Sequence, residues 1–166
     1  MQPEPTDNSH RHAGKPSGYA RFAVMIAAST LVMYGLMYLN TYRLSHVYFS
    51  QTRAWMALLM GAAMAIVMLS FMLHMYANRA INTAVFLGSA VVLGLSLWLV
   101  RSQDTVDDVA WMKAMIPHHS IALLTSERAR ITDPRVRALA DEIIESQRRE
   151  IHEMETLIRD LESGAE

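Results

Sequence analysis

Three long runs without a charged residue decide most of what this chain can become. They are FAVMIAASTLVMYGLMYLN (residues 22–40), AWMALLMGAAMAIVMLSFMLHMYA (54–77) and INTAVFLGSAVVLGLSLWLV (81–100). As helices, each is long enough to cross a hydrocarbon core of about 30 Å. None keeps the polar stripe that a core helix of a water-soluble protein turns to solvent. The expectation is a three-span membrane domain over residues 21–101, with spans two and three joined by a tight turn at Asn78-Arg79. After the first run, Thr41-Tyr42-Arg43 offers no small-x-small cleavage pattern, so that run is expected to remain as an anchor.

Charge divides the chain in the same place. No acidic residue occurs between Asp7 and Asp104, whereas residues 101–166 hold nine basic and fourteen acidic side chains, a net charge of −5. An acidic soluble half lacks the basic footprint that nucleic acid requires and is compatible with cations. Arg11, Lys15 and Arg21 cluster ahead of the first span, which favours a cytoplasmic N-terminus. Three crossings then put residues 102–166 outside the cytoplasm. Residues 1–20 are polar and Gly/Pro-containing, and are expected to be a disordered cytoplasmic tail in which His10 and His12 touch a metal weakly at most.

Cysteine is absent and methionine occurs thirteen times, so any soft ligand here is a thioether. Met56, Met60, Met64, Met68 and Met72 recur every four residues. A step of four advances about 400°, so the series should wind around its helix rather than line one side of a path, and packing is the expected use. His46, in the first loop, and His74 read as interfacial residues rather than ligands. Gly61/Ala65, Ala84/Gly88 and Ala90/Gly94 are small pairs four apart that would allow close helix approach.

Beyond Val100 the pattern becomes amphipathic. One helix is expected to start at Asp104-Thr105, with Asp107 and Asp108 in its first turn, and to run to about Ile131. Val109, Met112, Ile116, His119 and Leu123 share a face of it. Thr132-Asp133-Pro134 stops it and starts a second, with Asp133 as N-cap and Pro134 at the first helical position. The fold class expected is all-α: three transmembrane helices followed by a long soluble two-helix hairpin, half of a four-helix bundle. Two helices bury little core. A homodimer is the simplest completion, and packing against the chain's own membrane loops is the alternative.

The stretch WMKAMIPHHS carries the chemistry. Met112, Met115 and His119 share one face, and His118 adjoins them. Pro117 cannot donate to the Lys113 carbonyl, so a kink that turns both histidines toward a common point is expected. Across the hairpin, Gln147, Glu150 and Met154 stand at three- and four-residue steps, and a polar residue on an apolar face wants a partner that imidazole can supply. Thioethers with imidazoles suit copper, Cu(I) above all; zinc does not ordinarily take thioether. The structural alternative is ordinary core packing, with His119 hydrogen-bonded to Glu150 and His152 solvated. No enzyme is expected: Glu-x-x-His pairs of the di-iron kind do not occur, and Ser120 beside His119 has no acid or oxyanion element.

The runs DVAWMKAMIPHHSIALL and DPRVRALADEIIESQRREIHEM resemble the bacterial domain of unknown function 305 in order and spacing: Met115, His118, His119, Ala122, Pro134, Leu139-Ala140, Ile143-Ile144, Gln147, Glu150-Ile151 and Met154. The match covers about residues 104–162, and the chain looks like a membrane-anchored branch. The resemblance implies a ferritin-like bundle, a bacterial inner-membrane location, and copper as the possible cofactor. By position it implies Met112, Met115, His118, His119 and Met154 as metal ligands, with Glu150 as ligand or support. Two departures stand out: the unit occurs once, where soluble relatives often carry it twice, and Thr125 stands where many have a further methionine. The expected function is a membrane-anchored extracytoplasmic copper protein for storage, buffering or tolerance, embedded in the lipid bilayer and homo-oligomeric. The alternative is a non-catalytic membrane scaffold or sensor that dimerises through the hairpin; a minor third is a transporter subunit using the span-two methionines.

Overall fold

The computed structural model describes residues 18–164. The tail with His10 and His12 therefore lies outside the described residues, apart from its last three positions. Among the described residues there are five α-helices and no strand: α1 (Gly18–Leu36), α2 (Gln51–Met72), α3 (Arg79–Ser102), α4 (Asp108–Arg128) and α5 (Pro134–Ser163). Short 3-10 turns occur at Leu44–His46 and Leu73–Met75. The first three helices are long and apolar enough to cross a membrane, the second over Gln51–Met75.

Each of these helices begins ahead of its apolar run, whereas α1 and α2 end short of theirs, at Leu36 and Met72; at α2 and α3 a cap rather than a change of hydropathy sets where the helix begins. Ser50 Oγ accepts the Arg53 amide at 3.2 Å and starts α2 three residues before Ala54. Asn78 caps α3 through the Ile81 amide. Helix α1 packs on α2, and α2 on α3. Phe22, Ala65, Leu69 and Tyr76 form the buried cluster, with Met68 and Met72 against it. At that end Tyr19 Oη donates to Asn82 Oδ1 at 2.9 Å, and Asn82 Nδ2 donates to the Tyr76 carbonyl at 2.9 Å, so polar side chains also tie the helices. Met56 is exposed while Met68 and Met72 pack inward, so the methionine series winds around α2 as its spacing requires.

Only one of the small-residue pairs makes a tight contact between helices. Gly61 and Ala65 are buried against α1 and its neighbours, whereas Ala84, Gly88, Ala90 and Gly94 are exposed on α3. A Cβ on Gly61 would lie 2.3 Å from Thr30 Oγ1, and that hydroxyl already donates to the Ile26 carbonyl at 2.8 Å. Gly61→Ala must therefore push α1 off α2 or break the Thr30 bond. The expected cost is about 1–3 kcal/mol, read as a lower melting temperature of the full chain in detergent. Gly94→Ala, which meets nothing within 4 Å, should leave it unchanged.

The α3–α4 junction differs from the sequence expectation. Gln103 adopts a left-handed conformation (φ 57°) and its amide returns to the Leu99 carbonyl, closing α3. Asp104 and Thr105 then fall in a turn, and Asp107 is the N-cap, accepting the Ala110 amide at 2.7 Å. Helix α4 ends at Arg128, short of Ile131. Asp133 caps α5 with Pro134 next, as the sequence implies.

Helices α4 and α5 run antiparallel: Lys113 pairs with Glu162, and Glu127 with Arg148. Their core is Met112, Ile116, Ile151, Met154 and Ile158, with Val109 and Met115 against it. Tyr48, from the loop joining α1 to α2, also packs on this core. The loop thus covers part of the apolar surface left by two helices.

Candidate functional site

Pro117 does not divide α4, which is helical from Asp108 through Arg128. The proline ring is fully buried, as are Ile116 before it and Ser120 three residues after it. Because the helix continues, the two histidines keep the roughly 100° separation of neighbouring helical residues. His118 is exposed and His119 half-buried; their ring centroids are 6.2 Å apart at 60°. The expected convergence of both imidazoles is therefore not what this helix produces.

The remaining candidates divide into two groups. Met112 and Met154 are both buried in the α4/α5 core, 5% and 7% exposed, and Met115 packs against the same cluster. Three thioethers from two helices thus belong to one cluster. His119 and Glu150 form the second group: Nδ1 lies 3.1 Å from Oε2. The approach is off the direction a ring N–H needs, so Nδ1 is buried without a hydrogen bond. Burial, the largest influence, holds the His119 pKa below its ordinary value; Glu150 pulls it up and His118 pushes it down. The ring is accordingly neutral near physiological pH, the form in which a ring nitrogen can bind metal. Gln147 Oε1 is buried without a hydrogen-bond partner. His152 is exposed, in line with its spacing.

Among the described residues, no three His, Asp or Glu side chains gather as a metal site would require. This donor set does not fit a hard or borderline divalent ion, which takes imidazole and carboxylate oxygen in numbers. Thioethers and an imidazole nitrogen are instead the kinds of donor that a soft monovalent ion selects.

Reading residues singly along the sequence missed the contact that α4 makes with the α1–α2 loop, one residue beyond His119. Ser120 Oγ accepts the Tyr42 amide at 2.7 Å and lies 3.0 Å from His46 Nδ1. His46, in that loop, is buried, 7% exposed. Burial holds its pKa below the ordinary histidine value, with Glu155 pulling upward and Arg43 downward. The available signal was the alternation of His46, Tyr48 and Ser50 with the apolar Val47 and Phe49.

Residues 102–165 match the model of a family described as a domain of unknown function (DUF305). An uncharacterized protein of Acanthamoeba polyphaga mimivirus is 33% identical over 86 residues, which is 51% of this chain and 57% of that protein. The chain thus spans little more than half the length of that relative. No solved structure matches.

Proposed function

With residues 102–165 a domain of the DUF305 family, we propose that the chain is a membrane-anchored extracytoplasmic protein that binds Cu(I). Met112, Met115 and Met154 would supply thioether ligands and His119 an imidazole nitrogen, with Glu150 supporting the ring. Copper bound there would be held, buffered or handed on, and no catalytic step is assigned. The observation that carries this reading is the cluster of Met112, Met115 and Met154 on the same helix pair as His119, whose Nδ1 faces Glu150 Oε2 at 3.1 Å, so that Nε2 would be the donor nitrogen. His118 is exposed and would join only from the solvent side. The proposed setting is the bacterial inner membrane, with the N-terminus in the cytoplasm. A second copy is the proposed cover for Val136, Leu139, Leu157 and Leu161, each 45–56% exposed on α5.

The test is a titration of the full chain in detergent with Cu(I) against a chromophoric chelator, with Zn(II) in parallel. Cu(I) should be retained against the chelator and Zn(II) should not. If no Cu(I) is held, and His118→Ala with His119→Ala changes nothing, the metal reading fails. A second reading, a scaffold or sensor, is favoured by the Ser120–His46 and Ser120–Tyr42 contacts, which couple α4 to the membrane loop. It would stand if the chain dimerises through α5 yet holds no copper.

A further inference from the structure

The junction of the α1–α2 loop with α4 and α5 holds a half-open cavity of about 280 Å³ that the metal reading does not use. Tyr42, Arg43 and His46 line it from the loop, and Arg148, His152 and Glu155 from α5. Its size is near the lower limit of ligand sites, about 300 Å³. The charges on its wall are not matched with one another. Arg148 is steadied by Glu127 through Nη2, which leaves the rest of its fork of donors. Arg43 has its guanidinium 5.7 Å from the Tyr42 ring centroid. Neither Arg43 nor Glu155 makes an ion pair among the described residues. A cavity that keeps an unpaired cation and an unpaired carboxylate suits a ligand that carries both signs.

The loop also fixes the cavity's depth. Residues 37–50 are tied at both ends to helices long enough to cross a membrane. Leu39, Leu44 and Phe49 are 77%, 91% and 68% exposed, so the loop turns apolar side chains outward while the Tyr42 amide and the His46 ring turn to α4. With α1 and α2 in the bilayer, those side chains enter the acyl boundary, to a depth of about 5–10 Å. The opposite side of the loop then lies among the phosphates.

We propose that this cavity binds a zwitterionic headgroup in which a phosphate stands beside a primary ammonium, the chemistry of phosphatidylethanolamine. The guanidinium groups of Arg43 and Arg148 match phosphate oxygens, and the ammonium donates to Glu155. Phosphatidylcholine carries the same charges but has no N–H for Glu155, and phosphatidylglycerol has no cation. Soluble O-phosphoethanolamine offers the same pair of groups without the chains.

The test uses delipidated full-length protein in detergent, titrated with short-chain forms of the three lipids and with O-phosphoethanolamine, bound ligand being counted by native mass spectrometry. Phosphatidylethanolamine should bind about tenfold more tightly than either other lipid. Arg43→Gln with Arg148→Gln should lower that binding about tenfold, and Glu155→Gln should bring it to the phosphatidylcholine level. Arg43→Gln alone, at an exposed side chain, keeps the test decisive if the double variant unfolds. Competition by O-phosphoethanolamine would support the headgroup chemistry with a soluble source; lipid binding without such competition would support it with a membrane source. Equal binding of the three lipids, tighter binding of phosphatidylglycerol, or variants that bind phosphatidylethanolamine as the parent does would each overturn the proposal.

Discussion

Replacing Met112 and Met154 together by leucine should weaken Cu(I) binding by about 100-fold or more, equivalent to about 2.7 kcal/mol, while the helix pair stays folded. Both side chains are buried in the α4/α5 core. Leucine conserves their volume and apolar character, so each substitution should cost less than about 1.5 kcal/mol of stability. What it removes is the sulfur. Ile116→Ala is the complementary change: Ile116 is fully buried in the same cluster and offers no donor. Its loss should cost about 2–5 kcal/mol and leave the copper affinity of the folded fraction unaltered. Chelator competition reads the first effect and thermal melting the second. If the methionines only fill space, the double leucine variant will hold copper as the parent does.

The same physics explains which features the sequence makes legible. Charge-free runs of bilayer length identify three apolar helices, since few other sequences place so many apolar residues in a row. Asp133-Pro134 identifies the start of α5, because both the cap and the fixed proline φ act locally. Asp104-Thr105 misleads for a local reason too: Gln103 takes the left-handed conformation that ends α3, and the cap role falls to the next suitable acid, Asp107. Pro117 misleads because a proline removes only one amide from the helical ladder; α4 continues around it with the ring buried. The site is legible in part. Spacing groups Met112, Met115 and His119, and opposes Glu150 to His119. It says nothing of the angle at which Nδ1 meets the carboxylate. The pairing of Ser120 with His46 spans 74 residues of sequence. No periodicity links a helix face to a loop, so that contact comes only from the fold.

Releasing that loop should take a single hydroxyl. Ser120 is fully buried, and its Oγ serves both the Tyr42 amide and the His46 ring. Ser120→Ala leaves the Tyr42 N–H without its acceptor, a loss of about 1–3 kcal/mol. Hydrogen exchange at the Tyr42 amide should accelerate by about tenfold to a hundredfold, and Tyr48 should withdraw from the α4/α5 core. The docked loop should also loosen in acid. Burial keeps the His46 ring neutral while docked; Glu155 opposes this and Arg43 reinforces it, and Arg148 and His152 line the adjoining cavity. A ring whose pKa is lower when docked than when free favours docking fully above its ordinary value of 6.5, and progressively less below it. Exchange at about pH 7.5 and about pH 5, corrected for the intrinsic rate, should show loop protection falling in acid. His119 is also held low by burial and titrates in the same direction, beside Glu150. His46→Gln separates them: with the ring gone, loop protection should become insensitive to pH. An undiminished acid response in that variant would assign the effect to His119 and the α4/α5 pair rather than to the loop.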